Sequence, residues 1–213
     1  MEVKFSECSL ISLEKLFGLE ALDECPALQA WLTSEADISD WERTNLEYFR
    51  QLLRHNAHNW NEIELIEYLI APLFALIDFN TDYFKMFAER RITAVVGAYE
   101  LYGEPDTLIA KGTYTPKTPY FCFNEYKRIE DAKGDALGQV LAEMLAAHSL
   151  NPQNIPIYGV YVVDKVWYFL VLHDNAYCIT EGHYAAHETD LADIFRILKA
   201  LKVMLIEIAQ QEA

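Results

Sequence analysis

Apolar positions recur at helical spacing through the first third of the chain. Leu10 to Phe17 carries apolar residues near a 3.6-residue period and stops at Gly18, which predicts a helix. A second helix is expected over about Cys25 to Leu32. Ser39 is placed to cap a third, from Asp40 to about His55. Its apolar stripe is Trp41, Leu46, Phe49, Leu52 and Leu53, and Asp40 and Glu42 in its first turn suit the helix dipole. Asn61 opens the next helix, with Glu64 at the capping-box position and a broad apolar face as far as Phe74. Pro72 should kink that helix or end it early.

The pattern then changes period. Ile92 to Leu101 is rich in β-branched and aromatic residues and reads as one strand, followed by a turn at Gly103-Glu104-Pro105. Asp106 to Ala110 reads as a second strand. A Gly/Thr/Pro-rich loop, Gly112 to Thr118, leads to a third strand, Tyr120 to Tyr126, and then to a charged loop ending at Gly134. Asp135 to about His148 is a strong helix with its apolar residues mostly on one face. Ile157 to Val163 is a nearly continuous apolar strand of the kind buried on both faces. Turns at Asp164-Lys165 and Asp174-Asn175 make a meander with Val166 to Leu172 and Tyr177 to Thr180. A helix over about Leu191 to Ala209 follows, with Lys199 and Lys202 on its exposed side.

This order predicts an α/β fold: a mixed central β-sheet flanked by helices, with an N-terminal helical extension over 1–59 and a main domain over 60–213. The helix between the third and fourth strands is a crossover, so those two strands should run parallel.

Composition narrows the class. With 52% hydrophobic and 23% charged residues the chain is an ordinary folded protein rather than a disordered one. No run approaches about 20 uncharged apolar residues, so no membrane span is expected. The start Met1-Glu2-Val3-Lys4 shows no signal-peptide pattern, which makes the cytoplasm the expected compartment. Cys8, Cys25, Cys122 and Cys178 form no Cys-x-x-Cys pair, so a structural zinc site is not indicated. Buried free thiols are the expected state, and disulfides are the alternative.

The net charge is −16. Such a surface repels nucleic acid if the charge is spread evenly. It is not: the window 85–135 holds eight basic and eight acidic side chains. Its cations include Arg90, Arg91, Lys111, Lys117, Arg128 and Lys133. Arg90, Arg91, Lys111 and Lys117 are candidates for phosphate contacts, with ordinary surface charge as the alternative.

The same window holds a spacing with chemical content. Pro105-Asp106 precedes Glu125-Tyr126-Lys127 by 19 residues. Strand alternation puts Glu125 and Lys127 on one face. If the two strands pair, Asp106 and Glu125 converge on one hard cation, and Lys127 stands beside it. An isolated Glu-x-Lys is more often a surface pair. Glu62, at the N-terminal end of the stripe Ile66, Leu69, Ile70 and Leu73, is either a third acid facing the sheet or a dipole-stabilising residue.

In this ordered set the chain resembles the PD-(D/E)XK nuclease superfamily, whose core is the restriction-endonuclease-like fold. The helix from Asn61 resembles the helix that carries its first acid, and Leu137 to Ala147 resembles its following helix. Ile157 to Tyr161 and Trp167 to Phe169 are similar to later strands in prokaryotic members. The resemblance spans about residues 60–182. It implies Asp106 and Glu125 as ligands of Mg²⁺ (or Mn²⁺), Lys127 as the catalytic lysine, Glu62 as the helix acid, and Gln139 as a residue that holds a water or an acid in place. It implies a nucleic-acid phosphodiester as substrate, DNA ahead of RNA. The acidic balance opposes tight binding by the chain alone. A homodimer or a partner protein would relieve this. It also keeps a second class open, a non-catalytic scaffold on the same fold.

Other chemistries lack support. His183 and His187 have metal-pair spacing without a clear helix, and His55 and His58 suit a helix C-terminus. No Gly-x-Ser-x-Gly elbow and no phosphate-binding P-loop is present.

Overall fold

The computed structural model describes residues 1–127, 135–152, 155–187 and 189–211. The charged loop with Arg128, Lys133 and Gly134 lies outside the described residues. The fold is mixed α/β, with a large mixed sheet flanked by helices.

Capping chemistry sets the helix starts. Ser9, Ser39 and Asn61 each accept from the backbone N–H three residues on, in full capping boxes, and open α1 (Leu10–Phe17), α3 (Asp40–Asn56) and α4 (Glu62–Leu65). Between α1 and α3 lies α2 (Pro26–Thr33), capped by the Cys25 thiol. After α4 the chain makes one π-helical turn, Ile66–Ile70, and continues as α5 (Ala71–Ile77) with Pro72 in its first turn. Pro72 thus falls where its missing N–H is tolerated; the π turn absorbs the distortion and the helix runs on.

The large sheet comprises β2 (Glu20–Ala21), β3 (Lys85–Ala88), β6 (Thr107–Lys111), β7 (Lys117–Lys127), β8 (Ile157–Val163), β9 (Val166–His173) and β10 (Ala176–Ile179), with β11 (His183–Tyr184) added to β9. Its order is β2-β10-β9-β8-β7-β6-β3. The crossover expectation holds: β7 and β8 are parallel, and the meander β8-β9-β10 is antiparallel. Asp164 and Asp174 take positive φ at the two hairpin turns.

A second sheet was not foreseen. β1 (Glu2–Lys4), β4 (Ile92–Val96) and β5 (Tyr99–Gly103) form a three-stranded sheet in the order β1-β5-β4. The apolar run read as one strand is a hairpin folded at Gly97, whose φ of 60° suits glycine. Its partner β1 comes from the chain's start. Residues 1–59 therefore contribute strands to both sheets as well as α1 to α3, because β2 pairs with β10.

The crossover helix α6 (Ala136–Leu150) is packed between the two sheets, against β7 and β8 on one side and β4 and β5 on the other. It is buried around nearly its whole circumference, not on one face, and this explains why its sequence lacks a polar stripe. Asp135 caps it by accepting from Gly138 N–H, and its other oxygen accepts from Leu10 N–H of α1. Gly138 allows that approach: a Cβ there would lie 2.7 Å from Cys8 O and Ser9 Cα. The opposite face of the large sheet packs under α2, α3, α5 and α7 (Asp190–Gln211). On α7, Lys199 and Lys202 are not merely solvated. Lys199 Nζ donates to Asp37 O and to both oxygens of Glu42, and Lys202 Nζ donates to Ile77 O. They tie α7 to α3 and α5.

Candidate active site

The β6–β7 register brings the predicted acids together. Thr107 pairs with Asn124, so Asp106 and Glu125 sit at adjacent ends of neighbouring strands. Asp106 Oδ2 accepts from Tyr126 N–H at 2.8 Å, which fixes its carboxylate against β7. On the face away from α6, the Tyr126 hydroxyl and Asn124 Nδ2 both meet Thr107 Oγ1, at 3.1 and 2.8 Å. Those contacts hold the two strand ends in register.

Alternation along β7 turns Phe123, Glu125 and Lys127 toward α6. Glu125 is fully buried, and Lys127 Nζ stands 2.7 Å from its Oε1. The Lys127 ammonium is the close partner of Oε1, and Glu125 Oε2 has no partner among the described residues. Burial first, and then the charge of Asp106, pushes the Glu125 carboxyl up to about 8. Burial likewise raises Asp106, against the Tyr126 N–H bond and Lys127, which both lower it. Burial pulls Lys127 down, but Glu125, Asp106 and Glu62 together leave its ammonium raised. Glu62 is half-buried at the first position of α4, and its charge reaches both Glu125 and Lys127.

The structure adds a residue that the sequence reading passed over. Glu143 on α6 is fully buried and faces Glu125. Burial, and then Glu125, holds its carboxyl well above the usual range. Gln139, one turn earlier, donates from Nε2 to Glu143 Oε1 at 3.4 Å, and Glu143 Oε2 has no partner among the described residues. The acid that Gln139 steadies is therefore Glu143. The signal was present: Gln139 and Glu143 are polar, i and i+4, in an otherwise apolar helix.

The result is a buried cluster in which Glu125, Asp106 and Glu62 act on the ammonium of Lys127 and the charge of Glu125 acts on Glu143. Among the described residues no group of three or more His, Cys, Asp or Glu side chains is arranged to hold a metal ion. The pair Asp106 and Glu125 supplies hard oxygen donors, and one buried oxygen each of Glu125 and Glu143, Oε2 in both, has no partner among the described residues. Mg²⁺ fits such a set, because it takes one or two carboxylates and keeps waters elsewhere.

The candidate phosphate contacts separate. Arg90 and Arg91 lie between β3 and β4, close to Asp106, whose carbonyl accepts from Glu89 N–H. Lys111 and Lys117 pair with each other at the far ends of β6 and β7. At about 3.3 Å per residue they stand roughly 30 Å along the strands from Lys127, and they do not join the site. His183 lies in β11, and His187 Nδ1 approaches Asp190 Oδ2 at 3.3 Å. All four cysteines are free thiols. Among the described residues no helix is long and apolar enough to cross a membrane. No protein-family model matches this sequence, and no curated protein matches it.

Proposed function

We propose that the chain is a metal-dependent nuclease of the PD-(D/E)XK type, hydrolysing phosphodiester bonds of nucleic acid, DNA ahead of RNA. The observation that carries this reading is the buried Glu125 carboxyl group, set beside Asp106, with Oε1 2.7 Å from the Lys127 ammonium and Oε2 without a partner among the described residues. Such a group costs stability in the empty fold, and a scaffold gains nothing from keeping it.

Asp106 and Glu125 would hold Mg²⁺ or Mn²⁺. When bound, that ion polarises the phosphoryl group and favours loss of a proton from water. Lys127 Nζ donates to a non-bridging phosphate oxygen and offsets the charge that grows there. A P–O bond forms to the water oxygen as the ester P–O bond in line with it breaks, and the leaving oxygen takes a proton. Gln139 orients Glu143, and Glu125, Asp106 and Glu62 keep the Lys127 amine protonated. The four free thiols suit the cytoplasm. A homodimer or a partner protein would offset the net charge of −16 during binding. That same charge favours the second reading, an inactive nuclease fold serving as a scaffold.

The deciding experiment incubates single- and double-stranded DNA and RNA with Mg²⁺ or Mn²⁺ and compares the natural chain with Lys127→Ala. Metal-dependent cutting by the natural chain, lost by at least 100-fold in Lys127→Ala, is the expected result. No cutting on any substrate, with no metal uptake by calorimetry, leaves the scaffold.

A further inference from the structure

The small sheet carries a cleft that ends at the candidate site. Lys4 is the register partner of Tyr102 across β1 and β5, and Thr93 of β4 pairs with Tyr102 from the other side. Arg91, two residues before Thr93, shares its face. The Arg91 guanidinium lies over the Tyr102 ring, 4.9 Å from the centroid. With Ser6, Glu104 and Gln139 these residues line a cavity of about 300 Å³. Its floor is the buried Phe5 ring packed on Gly103, where a Cβ would come within 2.5 Å of Phe5 Cδ2. Two of the lining residues lead into the candidate site. Gln139 bonds Glu143, and Glu104 precedes Asp106 by two residues.

We propose that this cleft is a phosphate subsite for the strand entering the site, with the Arg91 fork and the Lys4 ammonium on the phosphate. Arg91 and Lys4 have no carboxylate ion-pair partner among the described residues, although acids outnumber bases 33 to 17 in the chain. The cation–π contact with Tyr102 restrains the guanidinium, so less freedom is lost when its fork engages an anion. A planar fork, a point charge and the Ser6 hydroxyl suit the non-bridging oxygens of a phosphate, two on an internal diester and three on a terminal group. The cavity volume is at the lower end of ligand-sized pockets and suits one nucleotide's phosphate rather than a duplex. Glu104 on the rim leaves the lining with one net positive charge. That makes the subsite a local contact and not a broad basic surface, in keeping with the acidic body. The anion follows from the cleft itself; its assignment to a nucleic-acid strand rests on the nuclease reading.

The test measures binding rather than turnover, on the full chain with chelator present, by anisotropy of short single-stranded DNA labelled at its 3′ end. One set carries a 5′-phosphate and one a 5′-hydroxyl; inorganic phosphate serves as competitor. Arg91→Ala is expected to weaken binding roughly tenfold to a hundredfold. Lys4→Ala is expected to weaken it a few-fold, and each to reduce the salt slope by about one. Arg91→Lys, which keeps the charge without the planar fork, should fall between. A loss shared by both oligonucleotides supports an internal backbone phosphate in the cleft; a loss confined to the 5′-phosphate set supports a terminal one. Unchanged affinity and salt slope in both alanine variants overturn the proposal, circular dichroism having shown them folded. Failure of the two readings is separable. Cutting that needs Lys127, with binding indifferent to Arg91 and Lys4, overturns the subsite alone. Arg91-dependent phosphate binding by a chain that cuts nothing supports the subsite and overturns only the nuclease reading.

Discussion

Replacing Glu125 by Gln removes a buried charge while keeping its shape, and the consequence for stability can be worked from the structure. In the fold the Glu125 carboxyl rises from 4.5 to about 8, through burial first and then the charge of Asp106. At about 1.4 kcal/mol per pH unit, ionising it inside the fold costs at most about 5 kcal/mol relative to the unfolded chain. The sign follows from the raised value. Between pH 4.5 and about 8 the folded chain binds more protons than the unfolded one. The contribution of Glu125 is therefore greatest below 4.5, declines as pH rises through that window, and levels off above about 8. Glu125→Gln escapes the decline, whose size already includes the pull of Lys127, but it buries an amide that must find its own partners, while the Lys127 side chain, 22% exposed, can turn to water. The expected net gain at pH 9 is about 2–3 kcal/mol, or roughly 5–10 °C in Tm for a chain of this size. Differential scanning calorimetry in chelator, from pH 4 to 9, reads this directly: the two curves should meet near pH 4 and separate upward. Adding Mg²⁺ should raise the natural chain by about 2.7 kcal/mol at a hundred times Kd and leave the variant unmoved. A variant less stable than the natural chain at pH 9, or one with the same pH profile, refutes the argument that Glu125 is held at a cost for a cation.

The remaining predictions follow from particular contacts. Glu143→Gln should weaken Mg²⁺ uptake by roughly 10–100-fold in calorimetry, as expected of a group that orients a metal site from behind its ligands; unchanged uptake would leave Glu143 a bystander. Gly138→Ala should cost about 3 kcal/mol in denaturant unfolding, because its Cβ meets the backbone of Cys8 and Ser9 at 2.7 Å. Gly159→Ala should cost about 1–2 kcal/mol, because its neighbours are the Met144 and Leu170 side chains, which can shift; the reverse order would mean that α1, not the sheet, gives way. Lys199→Met strips Glu42 of two of the bonds that, with those from Ser39 and against burial, hold its carboxyl below 4.5, and should cost about 1–2 kcal/mol at pH 7. That difference is present above pH 4.5 and should vanish as Glu42 protonates below it; a penalty that persists at pH 3 would place the effect in packing instead.

What could be read from the residues was what depends on local spacing. The cap at Ser39, the capping box at Asn61, the alternation of Glu125 and Lys127, and the parallel pairing forced by the crossover through α6 each need only a short stretch of chain, and each holds. The hairpin inside Ile92 to Gly103 was hidden because Gly97-Ala98 is a weak turn signal between two apolar runs. The small sheet was hidden for a different reason. Val3 pairs with Leu101 across nearly half the chain, and no periodicity reports a partner that distant. This second sheet changes the meaning of α6. A helix covered on one side shows its acids to water, so Glu143 read as unremarkable. A helix covered on both sides has no solvent face, and any carboxylate on it is buried with whatever it can find. The run Ala136 to Ala147 carries that information in its composition, since a helix apolar nearly all round must be buried all round. Gln139 and Glu143, one turn apart in such a helix, therefore mark a candidate site on physical grounds alone, before the strand they face is known.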